Sequence, residues 1–408
     1  MPQCTAMNDL RTAKTSHEIQ FLDKLLRDMD YGYHSINSLP ENKVILNLSR
    51  RYHWFGVLCR QLFRLSPVDL RALFGKRESV KDSQAIILLA TAYLELWEAS
   101  REKRFIDSFE TIVEWIIGNR SPCAKNYAVP HRKKLFLKEY VSSGEYDISP
   151  LLTCYAAKLF LKAFHVTSSI KYLSLAISSG NYFVEELSNE NYGESIYFYY
   201  IPGLRKKIYN CSAEISSFLV QLGSITGSGE YFDKGLMGLQ FIANVQNRNG
   251  SWFYGESKSF RYIDNFHTAF ILLSFYNALK VTKNSAFVEA FRSGLRYYEA
   301  NLFKKISDDS CRPRHFDPRF LPRNSNAIQK VDLRDAALAI ILFSSLGQDE
   351  PKYASMAEYV FNWTIDNMRG NHGYYCELTW IWPNTIPYIE FQAWMFLSIS
   401  ILQGIKCR

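Results

Sequence analysis

One structural unit recurs along most of the chain, and its spacing restricts the fold more than any other feature of the sequence. The unit is a pair of helices whose second helix begins with an aromatic residue after a polar turn. This arrangement occurs five times, about 56 to 67 residues apart, at Phe105, Tyr172, Tyr231, Phe287 and Tyr353. Recurrence at such a spacing indicates a repeat architecture in which neighbouring units share a core.

An apolar helix is predicted before each of these aromatic residues. These first helices are expected at 83–97, 150–164, 212–225, 266–281 and 333–346, and a sixth at 391–402 ends the chain without a following partner. A helix expected at 44–63 can supply that partner. The sequence therefore predicts an all-α fold, an (α/α)6 toroid of six helical hairpins in a closed ring. An open solenoid of stacked helix pairs is the alternative, because it uses the same unit without closure.

The same pattern predicts the domain organisation and one face of the ring that carries long loops. Residues 1–42 are expected to form an N-terminal arm with one helix near 18–28, and residues 43–408 the toroid domain. Turns within hairpins are short, whereas the returns between hairpins are long, at 119–148, 188–210, 247–264, 307–331 and 369–388. In a closed ring these returns share the face where the first helices begin. Long ordered loops on a rigid scaffold are where binding sites usually lie.

Composition describes an ordinary globular chain and excludes several classes of protein. The hydrophobic fraction is 47%, the aromatic fraction 15% and the formal net charge +8. The eight cysteines show neither a disulfide framework nor zinc-ligand spacing, so we expect no metal, no cofactor and a reducing compartment. Charged residues interrupt the N-terminal segment where an export signal needs an apolar run. We expect a cytoplasmic protein without an integral membrane segment, with at most a peripheral association with the inner membrane.

The stretch 249–267 holds the densest group of side chains that are suited to acid–base chemistry or to binding a substrate. After the turn signal Asn249-Gly250, a period-two strip is expected to place Trp252, Tyr254 and Glu256 on one face. Asp264 or Asn265 can cap the helix that follows, which puts His267 in its first turn. Tyr254, Asp264 and His267 are therefore the candidate catalytic residues at the floor of a cleft. Trp252 is the expected stacking wall, and Glu256 and Tyr262 are expected to bind substrate.

Basic residues and aromatic rings lie together in the long loops. The basic clusters are 131–134, 205–207 and a third with Arg312, Arg314, His315, Arg319 and Arg323. Aromatic rings stack on sugar faces, and guanidinium groups bind carboxylates in a bidentate manner, so an acidic oligo- or polysaccharide is the expected partner. Acidic residues in the same loops argue against nucleic acid. Candidate substrate-binding residues here are Arg205, Arg314, Tyr375 and Trp382.

Polar residues also open the other first helices. Asp82, Ser149, Asn210, Asp332 and Glu390 stand at or near the predicted starts, and most are expected to be N-caps. Asp332 is a further catalytic candidate because paired carboxylates suit glycoside hydrolysis. Arg334 and Glu390 are added as substrate-binding candidates.

With these motifs, the chain resembles a group of bacterial helical-toroid proteins found with surface-polysaccharide biosynthesis genes. The resemblance covers about residues 148–402, and is strongest at 249–255, 262–268, Asp332, 386–388 and 392–395. The chain is also similar to the C-terminal helical domain of glucuronyl C5-epimerases at Phe266-His267-Thr268, but lacks their β-rich N-terminal part. Arg334 stands where a histidine is usual and Glu390 where a basic residue is usual, which predicts a different substrate or a lost activity.

Three functions fit these features, and the sequence leaves open whether the chain is an enzyme. The first is proton abstraction beside the carboxylate of an acidic glycan, as in a uronate epimerase or lyase, within surface-polysaccharide biosynthesis. The second is glycoside hydrolysis with paired carboxylates drawn from Glu256, Asp264 and Asp332. The third is noncatalytic glycan binding alongside other polysaccharide-assembly proteins.

Overall fold

The computed structural model describes residues 2–30, 43–52, 54–56, 58–59, 62, 81–131, 136–137, 140–141, 147–201, 206–322, 329–380 and 382–406. The chain divides into two compact units. The terminal unit comprises Met1–Glu102, Lys133–Gly144 and Ala327–Arg408, and the central unit comprises Lys103–Arg132 and Glu145–Asn326.

Helices dominate both units, as the sequence predicts. In chain order they are α1 (Pro2–Asp28), α2 (Lys43–Arg51), α3 (Ser83–Ser100), α4 (Lys103–Gly118), α5 (Pro150–Thr167), α6 (Ile170–Asn181), α7 (Tyr209–Thr226), α8 (Gly229–Asn244), α9 (Asn265–Leu279), α10 (Ser285–Asn301), α11 (Leu333–Gly347), α12 (Pro351–Met368) and α13 (Ile389–Lys406). None of the helices in these ranges has both the length and the apolar character needed to cross a bilayer.

Short antiparallel strands occupy the loops. They are β1 (Phe136–Leu137), β2 (Tyr140–Val141), β3 (Asn189–Asn191), β4 (Ile196–Phe198), β5 (Phe303–Lys305), β6 (Cys311–Pro313), β7 (Gln329–Asp332), β8 (Arg369–Gly370), β9 (Gly373–Tyr374), β10 (Glu377–Thr379) and β11 (Pro383–Asn384). Four two-stranded pairs and one three-stranded sheet, ordered β11-β10-β7, result among the described residues.

The central unit is a succession of helical hairpins. Helix α5 packs against α6, α7 against α8 and α9 against α10, and α7 lies between α5 and α9. Helices α5, α7 and α9 are buried on nearly every side, which fits sequences that are apolar or small all round. By contrast, α10 buries a single stripe that includes Phe287, Ala290 and Gly294. The predicted alternation of inner and outer helices is therefore present in this unit.

Side-chain caps fix where several inner helices begin. Asp82, Ser149, Asp264 and Asp332 each accept a hydrogen bond from an amide in the first turn of the helix that follows. Asn210 is not a cap, because α7 already begins at Tyr209 and no side chain caps it. Glu390 lies inside the first turn of α13.

The terminal unit gives the last helix an outer partner that the sequence did not predict. Helix α13 packs against α3, α11 and α1. Thr15, Ile19, Leu22 and Leu26 of α1 are buried, at spacings that form one helical stripe. Among the described residues, α1 therefore takes the place expected of the helix at 44–63. In the described part of that helix, Leu48 is 38% exposed.

Polar contacts hold α1 in place. Glu18 accepts hydrogen bonds from Arg369 at 2.8 Å and from the Tyr374 hydroxyl at 2.7 Å. The sequence predicted an arm with one helix near 18–28, whereas α1 runs from Pro2 to Asp28. The domain boundary at residue 42 remains a prediction.

Candidate functional site

The start of α9 joins Asp264 and His267 as the sequence predicted. One carboxylate oxygen of Asp264 accepts the backbone amide of His267 at 2.7 Å, and the other lies 2.6 Å from the imidazole Nδ1. The Asp264 side chain is 3% exposed, whereas that of His267 is 27% exposed. A buried carboxylate thus orients an imidazole that a solute can still reach.

The charge state of Asp264 follows from its neighbours. Burial by itself raises the pKa of this carboxyl, but the charge and hydrogen bonds of His267 and the charge of His315 outweigh it. The net pKa of Asp264 therefore lies below its ordinary 3.8. An ionised carboxylate only accepts hydrogen bonds, so Nδ1 of His267 carries the proton in this contact. In the neutral imidazole, Nε2 is then the free acceptor.

Aromatic rings surround the imidazole. The Tyr254 ring lies 4.4 Å from the His267 ring and stacks on Tyr262 at 5.0 Å between centroids. Burial, with smaller effects from Tyr200 and Asp264, raises the pKa of the Tyr254 hydroxyl well above 10.0. Tyr254 therefore keeps its proton at neutral pH and can donate it. The predicted association of Tyr254, Asp264 and His267 is present in the structure.

Backbone hydrogen bonds hold the strip that carries Tyr254. The Tyr254 amide donates to the Tyr262 carbonyl at 2.9 Å, and the Tyr254 carbonyl accepts from the Tyr209 amide at 3.1 Å. The strip is thus fixed between the following segment and the start of α7. Two successive long loops of the central unit meet here, as the loop lengths suggested.

The expected role of Trp252 as a stacking wall is wrong. Its indole is 1% exposed, donates Nε1 to the Ile242 carbonyl at 2.9 Å and stacks on Phe275. It also fills the space above Gly294, where an added Cβ would lie 2.3 Å from Cζ3 of the indole. Period-two alternation does not separate a core-facing residue from a cleft-facing one, because packing against α8 and α10 decides the direction.

Glu256 does not share the environment of Tyr254 either. Its side chain is 59% exposed and pairs with Lys207 at 3.2 Å. Lys207 also lies 3.6 Å from Glu190 and only 13% of its side chain is exposed. Glu256 therefore ties the strip to the β3–β4 hairpin through Lys207, and its expected pairing with Asp264 as a catalytic carboxylate remains a prediction.

The segment after β6 brings His315 beside Asp264. The His315 carbonyl accepts the Asn265 amide at 3.0 Å, and residue 316 bridges to Asp264. Burial and the positive charge of Arg314 lower the pKa of Arg312. Two arginines and a histidine thus lie close together in sequence next to the helix start. Arg205, the other predicted cation, lies outside the described residues.

Asp317 organises this segment. Its carboxylate is fully buried, accepts two hydrogen bonds from the Arg319 guanidinium at 2.7 and 3.0 Å, and also contacts the Tyr297 hydroxyl. Burial raises the pKa of Asp317, and the stronger opposite effect of Arg319 and Tyr297 brings it below 3.8. The Arg319 guanidinium is therefore already bound by Asp317 within the loop.

A second helix start, in the terminal unit, gathers the other predicted residues. Arg334 donates to Asp332 through Nε at 3.0 Å and through Nη2 at 2.8 Å, and its guanidinium lies over the Phe391 ring at 4.6 Å. Burial lowers the pKa of Arg334, but Asp332, Glu390 and Glu377 together raise it above its ordinary value. The two departures from the family pattern, Arg334 and Glu390, thus attract each other electrostatically.

The two aromatic candidates of the last long loop also lie in the terminal unit. Tyr375 is half-buried, and its ring lies where a Cβ on Gly370 would be placed. Trp382 is 42% exposed. Among the described residues, no group of three His, Cys, Asp or Glu side chains is arranged to hold a metal ion.

Sequence reasoning missed several contributors. After burial, Tyr200 is the next cause that raises the pKa of Tyr254, yet Tyr200 was not a candidate. His315 was named only as a member of a basic cluster, although its charge, after that of His267, lowers the pKa of Asp264. Lys207 was noted only as a member of a basic cluster.

No family model and no curated protein sequence matches the chain. Solved structures do match: a family 76 α-mannanase from Bacteroides thetaiotaomicron has a TM-score of 0.60 at 15% identity, covering 79% of this chain and 86% of that one. A sugar epimerase from a ruminal bacterium has a TM-score of 0.56 at 13% identity, covering 78% and 87%. An inactive variant of a Salegentibacter sp. α-1,6-mannanase in complex with α-1,6-mannotriose has a TM-score of 0.57 at 8% identity, covering 80% and 90%.

At such identities these likenesses concern the fold alone. The chain has a mostly helical fold of the α/α-toroid type. The number of hairpins and the closure of the ring remain predictions. The resemblance to polysaccharide-biosynthesis proteins and to glucuronyl epimerases likewise remains an expectation from sequence.

Proposed function

We propose that this chain is a carbohydrate-active enzyme that abstracts a proton beside the carboxylate of an acidic glycan. The observation that carries the proposal is the contact between His267 and Asp264, in which a buried carboxylate orients a partly exposed imidazole. A general base needs a fixed orientation, an acceptor nitrogen facing the substrate and access to it. The start of α9 provides the orientation and the access.

Tyr254 is the proposed proton donor. Its raised pKa keeps the hydroxyl protonated, and its ring lies against that of His267. In a β-elimination, the base takes the proton on the carbon beside the carboxylate and the acid protonates the departing oxygen. In an epimerisation, the base removes the proton from one face of this carbon and the acid delivers its own proton to the opposite face. Either reaction develops negative charge on the substrate carboxylate, which nearby cations stabilise.

The segment 312–315 is the proposed source of those cations. Its backbone pairs with the residues that open α9, and the charge of His315 reaches Asp264. Arg314 then binds the substrate carboxylate, a role that Arg319 cannot take because Asp317 already holds its guanidinium. An acidic sugar therefore fits this site better than a neutral one.

The structural neighbours support a sugar as the substrate class, since they include mannanases and a sugar epimerase. The sequence resemblance adds the context of bacterial surface-polysaccharide biosynthesis, in which other assembly proteins would be partners. Both statements belong to the proposal.

The test is incubation of the protein with uronate-containing oligosaccharides in deuterated water, followed by proton NMR. Epimerisation incorporates deuterium beside the carboxylate, and elimination gives an unsaturated product with new ultraviolet absorbance. His267→Gln should abolish either signal, whereas Lys234→Gln, on the outer helix α8, should leave it intact. Turnover that persists in His267→Gln would contradict the proposed base. Binding without any turnover would favour the noncatalytic alternative.

Glycoside hydrolysis is the second candidate, and one observation favours it. Asp332 and Glu377 are paired across β7 and β10, and both are buried. Two neighbouring carboxylates can act as acid and base on a glycosidic bond. Release of reducing ends from a neutral glycan, lost in Glu377→Gln and kept in His267→Gln, would establish this reading and overturn the first.

A further inference from the structure

Three inner helices of the central unit each contribute one polar side chain to a buried cluster. Lys158 of α5 lies 2.7 Å from one carboxylate oxygen of Glu214 on α7, and the Ser274 hydroxyl of α9 lies 2.7 Å from the other. Glu214 is 4% exposed and Ser274 fully buried. The cluster joins neighbouring helices that are otherwise apolar or small.

Lys158 differs from an ordinary buried ion-pair partner. Its side chain is 25% exposed, although the residues on either side of it along α5 are buried. Burial lowers the pKa of Lys158, but Glu214 reverses this and brings the pKa above 10.5, so the group carries its charge. An ammonium has three N–H donors, and the contact with Glu214 uses one. The other donors can therefore meet water or a solute.

A series of contacting aromatic rings connects this cluster with the start of α9. Phe266 contacts Phe270 at 4.8 Å between centroids, and Phe270 stacks on Tyr155 at 5.9 Å. Tyr155 stands one helical turn before Lys158. Ser274 follows His267 by two turns on the same face of α9, about 10 Å along the axis. That separation is comparable with the length of a disaccharide.

Stability alone gives little reason to keep such a cluster. A buried ion pair is often no more stabilising than well-packed apolar residues of the same volume, because both charges must lose their water. Here the pair also leaves an ammonium partly exposed. A charged ammonium held in a fixed position is a suitable donor of hydrogen bonds to sugar hydroxyls.

We propose that Lys158, held in place by Glu214 and Ser274, forms a second subsite that binds a hydroxyl group of a neutral sugar residue. The inference rests on the proposed function, because it assigns the acidic residue of the substrate to the start of α9 and the neighbouring neutral residue to this cluster. Lys158 donates to a hydroxyl oxygen, and the buried Glu214 carboxylate, which accepts from Ser274, orients the ammonium. The substrate is then a chain of at least two sugars in which a uronate adjoins a neutral residue.

The first experiment measures whether a solute reaches Lys158, without any sugar. Lys158→Cys is treated with an ethylammonium methanethiosulfonate, which restores a positive charge, and modification is quantified by peptide mass spectrometry. Lys234→Cys is the matched control, since Lys234 is 32% exposed and pairs with Glu230 at 2.8 Å on the outer helix α8. Modification of the two cysteines at similar rates supports the subsite. A folded Lys158→Cys protein that does not react overturns it.

The second experiment measures binding by calorimetry of glucuronate, glucose and a disaccharide of glucuronate linked to glucose. Lys158→Met and Glu214→Gln should each weaken disaccharide binding about tenfold or more and leave glucuronate binding unchanged, as expected when one charge-assisted hydrogen bond is lost. Arg314→Gln should weaken both ligands. Thermal unfolding of each variant identifies any loss of folded protein.

The outcomes separate the two proposals. A Lys158→Met, Glu214→Leu double variant that folds and binds the disaccharide as the wild type does would overturn the subsite and leave the proposed function standing. Wild-type protein that binds neither acidic sugar would overturn the proposed function and, with it, the subsite. Disaccharide binding that weakens in the subsite variants and in Arg314→Gln, with glucuronate binding weakened in Arg314→Gln alone, supports both.

Discussion

Two helix starts in this molecule use the same construction for different chemistry. At α9, Asp264 caps the helix and holds His267; at α11, Asp332 caps the helix and holds Arg334. Both aspartates are buried and both of their side-chain partners lie in the first turn, where the aspartate also accepts a backbone amide. An imidazole can release and accept a proton near neutral pH, whereas a guanidinium stays charged. One construction thus yields a candidate base in the central unit and a fixed charge in the terminal unit.

The largest expected effect is a loss of activity, which distinguishes the start of α9 from the start of α11. His267→Ala or Tyr254→Phe should lower the turnover of a uronate oligosaccharide by about 10² to 10⁴, the usual contribution of general acid–base catalysis. Tyr254→Phe keeps the ring and should change thermal unfolding little, whereas His267→Ala removes a hydrogen bond from the buried Asp264 and should lower the unfolding temperature moderately. Turnover is followed by NMR in deuterated water. If both variants unfold at room temperature, the two residues serve packing and the site must be sought elsewhere.

Arg334→Met should instead reduce stability. Removing the guanidinium leaves Asp332 buried without its cation, and breaking a buried pair costs about 3 to 5 kcal/mol. Urea unfolding at neutral pH measures the loss, and the Asp332→Asn, Arg334→Met double variant should recover part of it. A single variant as stable as the wild type would mean that the pair contributes nothing to folding.

Trp252→Phe tests the residue that the sequence placed in the cleft. Loss of the indole hydrogen bond to Ile242 and of ring volume should lower the free energy of unfolding by about 1 to 3 kcal/mol. Glycan affinity should not change, because the ring is buried. Weaker sugar binding with full stability would restore the stacking role.

The smallest expected effect is a difference in pH dependence. The pKa of Asp264 is lower in the folded protein than its ordinary value, so the unfolded chain binds this proton first as the pH falls. The stability contributed by Asp264 is therefore complete above about pH 4 and is lost as the pH falls through the folded-state pKa. Asp264→Asn should show a shallower loss of stability on acidification below about pH 5, measured by urea unfolding at each pH. Parallel curves for both proteins would contradict the assigned charge.

The helical hairpins and the start of α9 could be predicted because local signals specify them. An aromatic residue after a polar turn marks each outer helix, and an aspartate three residues before a histidine places both groups at one helix end. Packing direction is a tertiary property, so the strip around Tyr254 did not distinguish the buried Trp252 from the exposed Glu256.

Contacts between residues far apart in the sequence could not be predicted from its pattern either. The packing of α1 could not be predicted because no local signal joins Glu18 to Arg369 and Tyr374, about 350 residues later. Arg334 and Glu390 were treated as separate departures from a family pattern. Their mutual attraction emerges only when β10, α11 and α13 are seen in one unit.

Gly294 has a practical consequence for anyone who engineers this protein. Replacing a helical glycine by alanine normally stabilises a helix by roughly 0.5 to 1 kcal/mol, so α10 looks like a suitable place for a stabilising substitution. Here the new methyl group would collide with the indole of Trp252, and Tyr254 lies only two residues further along the same strip. The substitution should therefore lower heat resistance instead of raising it, and turnover should fall with it because the displaced indole belongs to the strip that carries Tyr254.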